Sequence, residues 1–82
     1  MTLDQIKSNQ TVQIDHIQGG WGIRQRLNQM GIFEGGHIKV KRHSRFGGPL
    51  VIEYNNSEVA IGRGMAAHIL VKPHEPKDTS NS

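Results

Sequence analysis

The sequence of 82 residues contains no cysteine, few aromatic residues and no long apolar segment. Without cysteine the chain cannot form a disulfide scaffold, a thiolate zinc site or a cysteine nucleophile. No segment approaches the roughly 20 consecutive apolar residues that a membrane-spanning helix needs. The N-terminus also lacks the basic and apolar parts of a signal peptide. Together these absences favour a cytoplasmic location.

The composition is sufficient for one small domain. Hydrophobic residues make up 34% of the chain, enough for a single core. Ten glycines in so short a chain indicate many tight turns and therefore short strands. Ten basic residues against seven acidic ones give a formal charge of +3, a mild bias towards acidic partners.

Alternation of apolar and polar residues predicts short β-strands. The first is expected over Thr11–Ile17, with a bulge or the strand end at Ile17, where the alternation breaks. The same pattern predicts four further strands, around residues 37–43, 50–54, 57–61 and 69–71.

One segment instead has a helical period. Ile23, Leu27 and Met30 form a single apolar stripe on a helix expected over Trp21–Met30. Gly31 follows where a C-terminal cap belongs. Leu27 is accordingly expected in the core.

Five short strands with one inserted helix, at about residues 21–30, predict a mainly β protein with a small SH3-like barrel. Phe33 and Tyr54 are expected in its core, whereas Phe46 falls in a turn. The domain is expected to occupy residues 1–72. Residues 73–82 contain nothing apolar, so a disordered tail is expected there.

Three segments of the chain, taken in order and at their spacings, resemble the signature of the FeoA family over about residues 3–72. They are Arg24-Gln25-Arg26-Leu27 with Met30-Gly31-Ile32 and Gly35, then Phe46-Gly47-Gly48-Pro49-Leu50, and Val59-Ala60-Ile61-Gly62-Arg63 with Ala66, Ile69 and Val71. The resemblance implies a stand-alone cytoplasmic SH3-like module that assists FeoB, a ferrous iron transporter with a cytoplasmic GTPase domain. Contact with the membrane would then be indirect, through the transporter.

The chain departs from the family pattern at a few positions. Asn9 stands where a glycine is usual, and Glu34 stands where a proline is usual. The first change is mild because asparagine tolerates left-handed backbone geometry better than most residues. Polar Asn28 and Gln29 replace the usual apolar or charged pair on the helix.

The five histidines do not have the spacing of a metal site. His37 and His43 share a strand face but lie roughly 20 Å apart in an extended chain, too far to share one ion. His16 and His68 could meet across neighbouring strands. We expect no metal site and no cofactor, and an Fe(II)-binding sensor domain stays open as an alternative.

No pattern in the sequence predicts catalysis. Gly62-x-Gly64-x-x-Ala67 imitates a dinucleotide fingerprint, but too little chain follows it for the βαβ unit that the fingerprint requires. The serines have no neighbouring base motif, and no Walker-type phosphate loop is present. The chain is therefore expected not to be an enzyme.

The candidate functional residues form a surface rather than a pocket. Trp21 and Arg24 lie off the apolar stripe of the helix, and an exposed tryptophan beside arginine is typical of an interface hot spot. The alternative is that Trp21 folds down against a neighbouring loop and anchors the start of the helix. Together with Arg26, Lys39 and Lys41 they make up the predicted partner-binding surface. The expected partner is the cytoplasmic part of FeoB.

The basic strand segment Lys39–Arg45 leaves a second function open, a small nucleic-acid-binding barrel. Such barrels usually present exposed aromatic residues for base stacking, and only four aromatic residues exist here. Nucleic acid is therefore not the expected partner.

Overall fold

The computed structural model describes residues 1–73, and the expected tail at residues 74–82 lies outside them. Five strands form the fold: β1 (Gln10–Ile17), β2 (His37–His43), β3 (Leu50–Tyr54), β4 (Ser57–Ile61) and β5 (Ile69–Pro73). Residues 1–73 also contain two α-helices, α1 (Trp21–Gln29) and α2 (Arg63–Ala66), and two short 3-10 helices, Leu3–Gln5 and Arg45–Gly47. β5 thus runs through Pro73, one residue past the expected end of the domain.

All strand pairs are antiparallel, in the order β4-β3-β2-β1-β5. The pairing register shifts between Ile14 and His16 in β1 and between Val40 and Arg42 in β2. Such irregularities bend the strands, which lets a short sheet curve around its own core. The mainly β, SH3-like class is confirmed; β1 does end at Ile17, but its irregularity lies earlier in the strand.

The inner face of the sheet encloses a single apolar core, together with Leu27 of α1, Ala66 of α2 and apolar residues of the connecting segments. Its buried residues are Leu3, Ile6, Val12, Ile14, Ile17, Leu27, Ile32, Ile38, Val40, Leu50, Ile52, Ile61, Ala66, Ile69 and Val71. No helix within residues 1–73 is long and apolar enough to cross a membrane.

α1 begins after Gly19 and Gly20 and closes at Gly31, as the sequence predicts. Leu27 is fully buried, and the rest of the predicted stripe packs against the core. Gly31 has a φ of +87°, and a Cβ there would lie 2.7 Å from the Tyr54 hydroxyl oxygen. Only glycine fits this position, because the left-handed turn and the Tyr54 ring both exclude a side chain.

The prediction that Phe33 lies in the core is wrong. Its side chain is 53% exposed, and the preceding Ile32 is buried instead. The two residues follow α1 in an irregular segment, so no helical or strand period selects which one points inward. Tyr54 is half-buried and packs against the core. Asn9, at the position where glycine is usual in the family, has a φ of 71°.

Candidate partner-binding surface

Trp21 is the first residue of α1, and its side chain is 76% exposed. Two glycines precede it, and the cap residue Gly20 brings no side chain near the helix start. The tryptophan therefore does not fold down as an anchor for the helix. It presents an apolar surface to solvent, as its position off the stripe predicts.

Arg24, one turn further along α1, is tied to the fold. Its Nη1 donates a hydrogen bond to the carbonyl oxygen of Ile17 at 2.9 Å and lies 3.3 Å from Oε2 of Glu34. The guanidinium thereby joins α1 to the end of β1 and to the segment before β2. Arg24 is thus first a structural residue, and only part of it faces solvent.

Glu34 is the centre of this polar cluster. Its Oε2 accepts a hydrogen bond from the Ile17 N–H at 3.0 Å and lies 3.2 Å from Nδ1 of His16. The backbone hydrogen bond from Ile17, with smaller contributions from the charges of Arg24 and His16, lowers the pKa of Glu34 against the opposing effect of burial. The sequence signals this cluster only as a glutamate at a position where the family usually has proline.

Arg26 lies on another side of α1 and is exposed. Within residues 1–73 its guanidinium forms no hydrogen bond or ion pair. It lines a groove of about 170 Å³ together with Met30, Met65 and the segment 60–62. The groove combines an apolar floor with one available guanidinium.

Lys39 and Lys41 lie on β2, and glutamates of β3 and β4 offset much of its positive charge. The Nζ of Lys41 is 3.8 Å from Oε1 of Glu53, which also lies opposite Lys39 in the strand register. Arg42 is 3.8 Å from Glu58 in the same way. The outer face of β2, β3 and β4 is therefore of mixed charge rather than a continuous basic surface.

The predicted surface consists of two separate parts. Lys39 and Lys41 alternate with the buried Ile38 and Val40, so they lie on the outer face of the sheet. Leu27 of α1 is buried in the core with Ile38 and Val40. The helix residues and the lysines thus come from different elements of the fold, and their action as one surface stays a prediction.

Two of the histidines within the described residues have separate partners. His16 faces Glu34 and lies opposite Leu70 in the register, not His68. Nε2 of His43 is 2.6 Å from the carbonyl oxygen of Ile6, so that nitrogen donates. Residues 1–73 contain no group of three side chains that could together hold a metal ion.

Residues 1–73 match the FeoA domain family. A curated protein of Methanocaldococcus jannaschii with the name Fe(2+) transport protein A is 41% identical over 69 residues, which are 84% of this chain and 82% of that protein. The chain belongs to the FeoA family.

Solved structures agree with this assignment. A crystal structure of an iron uptake regulatory protein, FeoA, superposes with a TM-score of 0.79 at 29% identity. The superposition covers 88% of this chain and 93% of the FeoA chain in that crystal structure. ScaR with bound Zn²⁺ superposes with a TM-score of 0.83 at 18% identity, covering 90% of this chain and 37% of that one. The second likeness shows the fold alone, here as one part of a longer protein.

Proposed function

We propose that this chain is a non-enzymatic accessory protein of ferrous iron transport that binds the cytoplasmic, GTPase-containing region of a FeoB-type transporter. Membership of the FeoA family supports the transport role, as does the 41% identity to a protein named for Fe(2+) transport. The chain would act in the cytoplasm and reach the membrane through its partner.

The observation that carries the proposal is the exposure of Trp21. A tryptophan that is 76% exposed at a helix start costs solubility and contributes nothing to the core. Tryptophan and arginine are the residues that most often dominate protein–protein binding energy, and Arg26 is available on the same helix. α1 therefore has the composition of a docking element.

The charge distribution disfavours nucleic acid as the partner. The side chains of Lys41 and Arg42 face Glu53 and Glu58, so the outer face of β2 does not offer a continuous row of free cations to a phosphate backbone. A salt titration with short DNA and RNA tests this alternative, since binding to phosphates weakens steeply as salt rises.

Binding of the purified chain to the purified cytoplasmic region of the cognate FeoB tests the proposal, measured by calorimetry with and without guanine nucleotide. Trp21→Ala should weaken binding by about 2 kcal/mol, roughly thirtyfold in Kd. Gln25→Ala, another exposed residue of α1, is the matched control and should bind like the parent. Absence of binding by the parent chain contradicts the proposal, and an unchanged affinity of Trp21→Ala removes α1 from the interface.

A further inference from the structure

Phe46 lies in the turn between β2 and β3, and its side chain is completely exposed, at 101% of the reference area. We call residues 44–49 the Phe46 turn. A side chain with no buried surface adds nothing to the core through burial. The fold therefore does not need an aromatic residue here.

The backbone conformation at Phe46 makes the choice of residue more unusual. Its φ of 59° lies in the left-handed region, which is strained for a bulky residue. Within residues 1–73 the other non-glycine residues with positive φ are all asparagines, Asn9, Asn55 and Asn56. Within the described residues, asparagine, which tolerates this conformation, thus occupies the other such positions. A strained phenylalanine is found only in this turn.

The turn is fixed rather than loose. The Ser44 N–H donates to the Pro49 carbonyl oxygen at 3.1 Å, and the Gly48 N–H donates to the Arg45 carbonyl oxygen at 3.1 Å. A Cβ on Gly48 would lie 2.9 Å from Cβ of Ser44, so the two sides of the turn are closely packed. Phe46 is consequently presented in one backbone conformation.

The charge beside Phe46 is positive. Arg45 is exposed, and its guanidinium forms no hydrogen bond or ion pair within residues 1–73. An apolar group with an unpaired guanidinium on the preceding residue complements an apolar pocket with a carboxylate at its rim.

We propose that the Phe46 turn is an anchor that inserts Phe46 into an apolar, acid-rimmed pocket of a protein partner, with Arg45 paired to a rim carboxylate. The inference rests on the proposed function in taking the cytoplasmic region of FeoB as that partner. A preformed conformation lowers the entropy cost of binding a shaped pocket. A lipid surface needs no fixed backbone and needs more apolar area than one phenylalanine supplies.

The test compares the parent chain with Phe46→Asn in binding to the purified FeoB cytoplasmic region. Asparagine suits the left-handed backbone, so this variant keeps the fold. We expect at least a tenfold loss of affinity for Phe46→Asn. For Arg45→Gln we expect a loss of about threefold together with a weaker dependence on salt. Phe33→Asn, which removes the other exposed phenylalanine, is the control and should bind like the parent.

The outcomes separate the two proposals. If the parent and Trp21→Ala differ as proposed but Phe46→Asn binds like the parent, the anchor is wrong and the proposed function stands. If the parent does not bind at all, both fail. Equal losses for Phe46→Asn and Phe33→Asn indicate unspecific apolar contact and overturn the anchor. The anchor is also overturned if the parent sediments with phosphatidylglycerol vesicles and Phe46→Asn does not, because the partner would then be lipid.

Discussion

Nη1 of Arg24 lies 3.3 Å from Oε2 of Glu34, an ion pair that joins α1 to the segment before β2. The same nitrogen donates to the Ile17 carbonyl oxygen, so one side chain holds three parts of the chain together. Because Arg24 has this structural role, its loss changes the fold and any interface at once. Trp21 and Arg26 report on binding more directly.

Arg24→Ala should lower the free energy of unfolding by about 1 kcal/mol, the usual net value of a lost hydrogen bond with a partly exposed ion pair. Arg26→Ala should leave it within about 0.5 kcal/mol of the parent value, because Arg26 is exposed and unpaired within the described residues. Urea unfolding followed by circular dichroism measures both. Equal stability of the two variants would show that the Arg24 contacts do not hold the helix.

Glu34 should make stability depend on pH in the acid range. Its pKa in the folded state lies below the ordinary value of 4.5, so its stabilising effect is present above that value. The effect is lost as pH falls through the lower, folded-state pKa. Glu34→Gln should therefore flatten the acid limb of a stability–pH curve, whereas Asp15→Asn, which changes an exposed carboxylate, should not. Identical acid limbs for Glu34→Gln and the parent would contradict the assignment.

Leu27→Ala should cost about 2–5 kcal/mol, since a fully buried leucine is replaced by a cavity beneath α1. For so small a domain that approaches the whole free energy of unfolding. The exposed neighbour Asn28→Ala is the control and should be nearly neutral. A melting temperature of Leu27→Ala equal to that of the parent would mean that the helix is not packed on the core.

Phe46→Asn should raise the free energy of unfolding by about 1 kcal/mol, because it relieves a left-handed backbone conformation that is strained for phenylalanine. Phe33→Asn, where no positive φ is involved, should bring no such gain. Thermal unfolding followed by circular dichroism compares them. A less stable Phe46→Asn would show that the turn needs its phenylalanine for folding.

An anaerobic calorimetric titration with Fe(II) should show no stoichiometric site of micromolar or better affinity. The reason is that residues 1–73 bring no three ligands together and that Arg24 already neutralises Glu34. His16→Ala should behave like the parent. A tight site that disappears in His16→Ala or His68→Ala would support the sensor alternative instead.

The regular elements could be predicted because their period is visible in neighbouring residues. Val12 and Ile14 alternate into the core, and Leu27 lies on the helical stripe. The same stripe placed Trp21 off the core face, but it left open whether the indole faced solvent or a neighbouring loop. These are local signals, and local signals are what a single sequence carries.

The remaining features depend on contacts between distant positions. Ile32 and Phe33 are adjacent and both apolar, so only the packing of the segment after α1 decides which is buried. Glu34 meets Ile17 across 17 positions of the chain, a contact without a sequence motif. The net charge on the outer face of β2 likewise depends on Glu53 and Glu58. Their carboxylates come close to Lys41 and Arg42 only when the strands pair.

The exposure of Trp21 has a spectroscopic consequence. It is the single tryptophan of the chain, and its indole is already largely in water in the folded state. Its fluorescence should therefore change little on unfolding, but it should shift to shorter wavelength when a partner covers it. The protein thus carries an intrinsic optical probe that reports on complex formation and is nearly silent about folding.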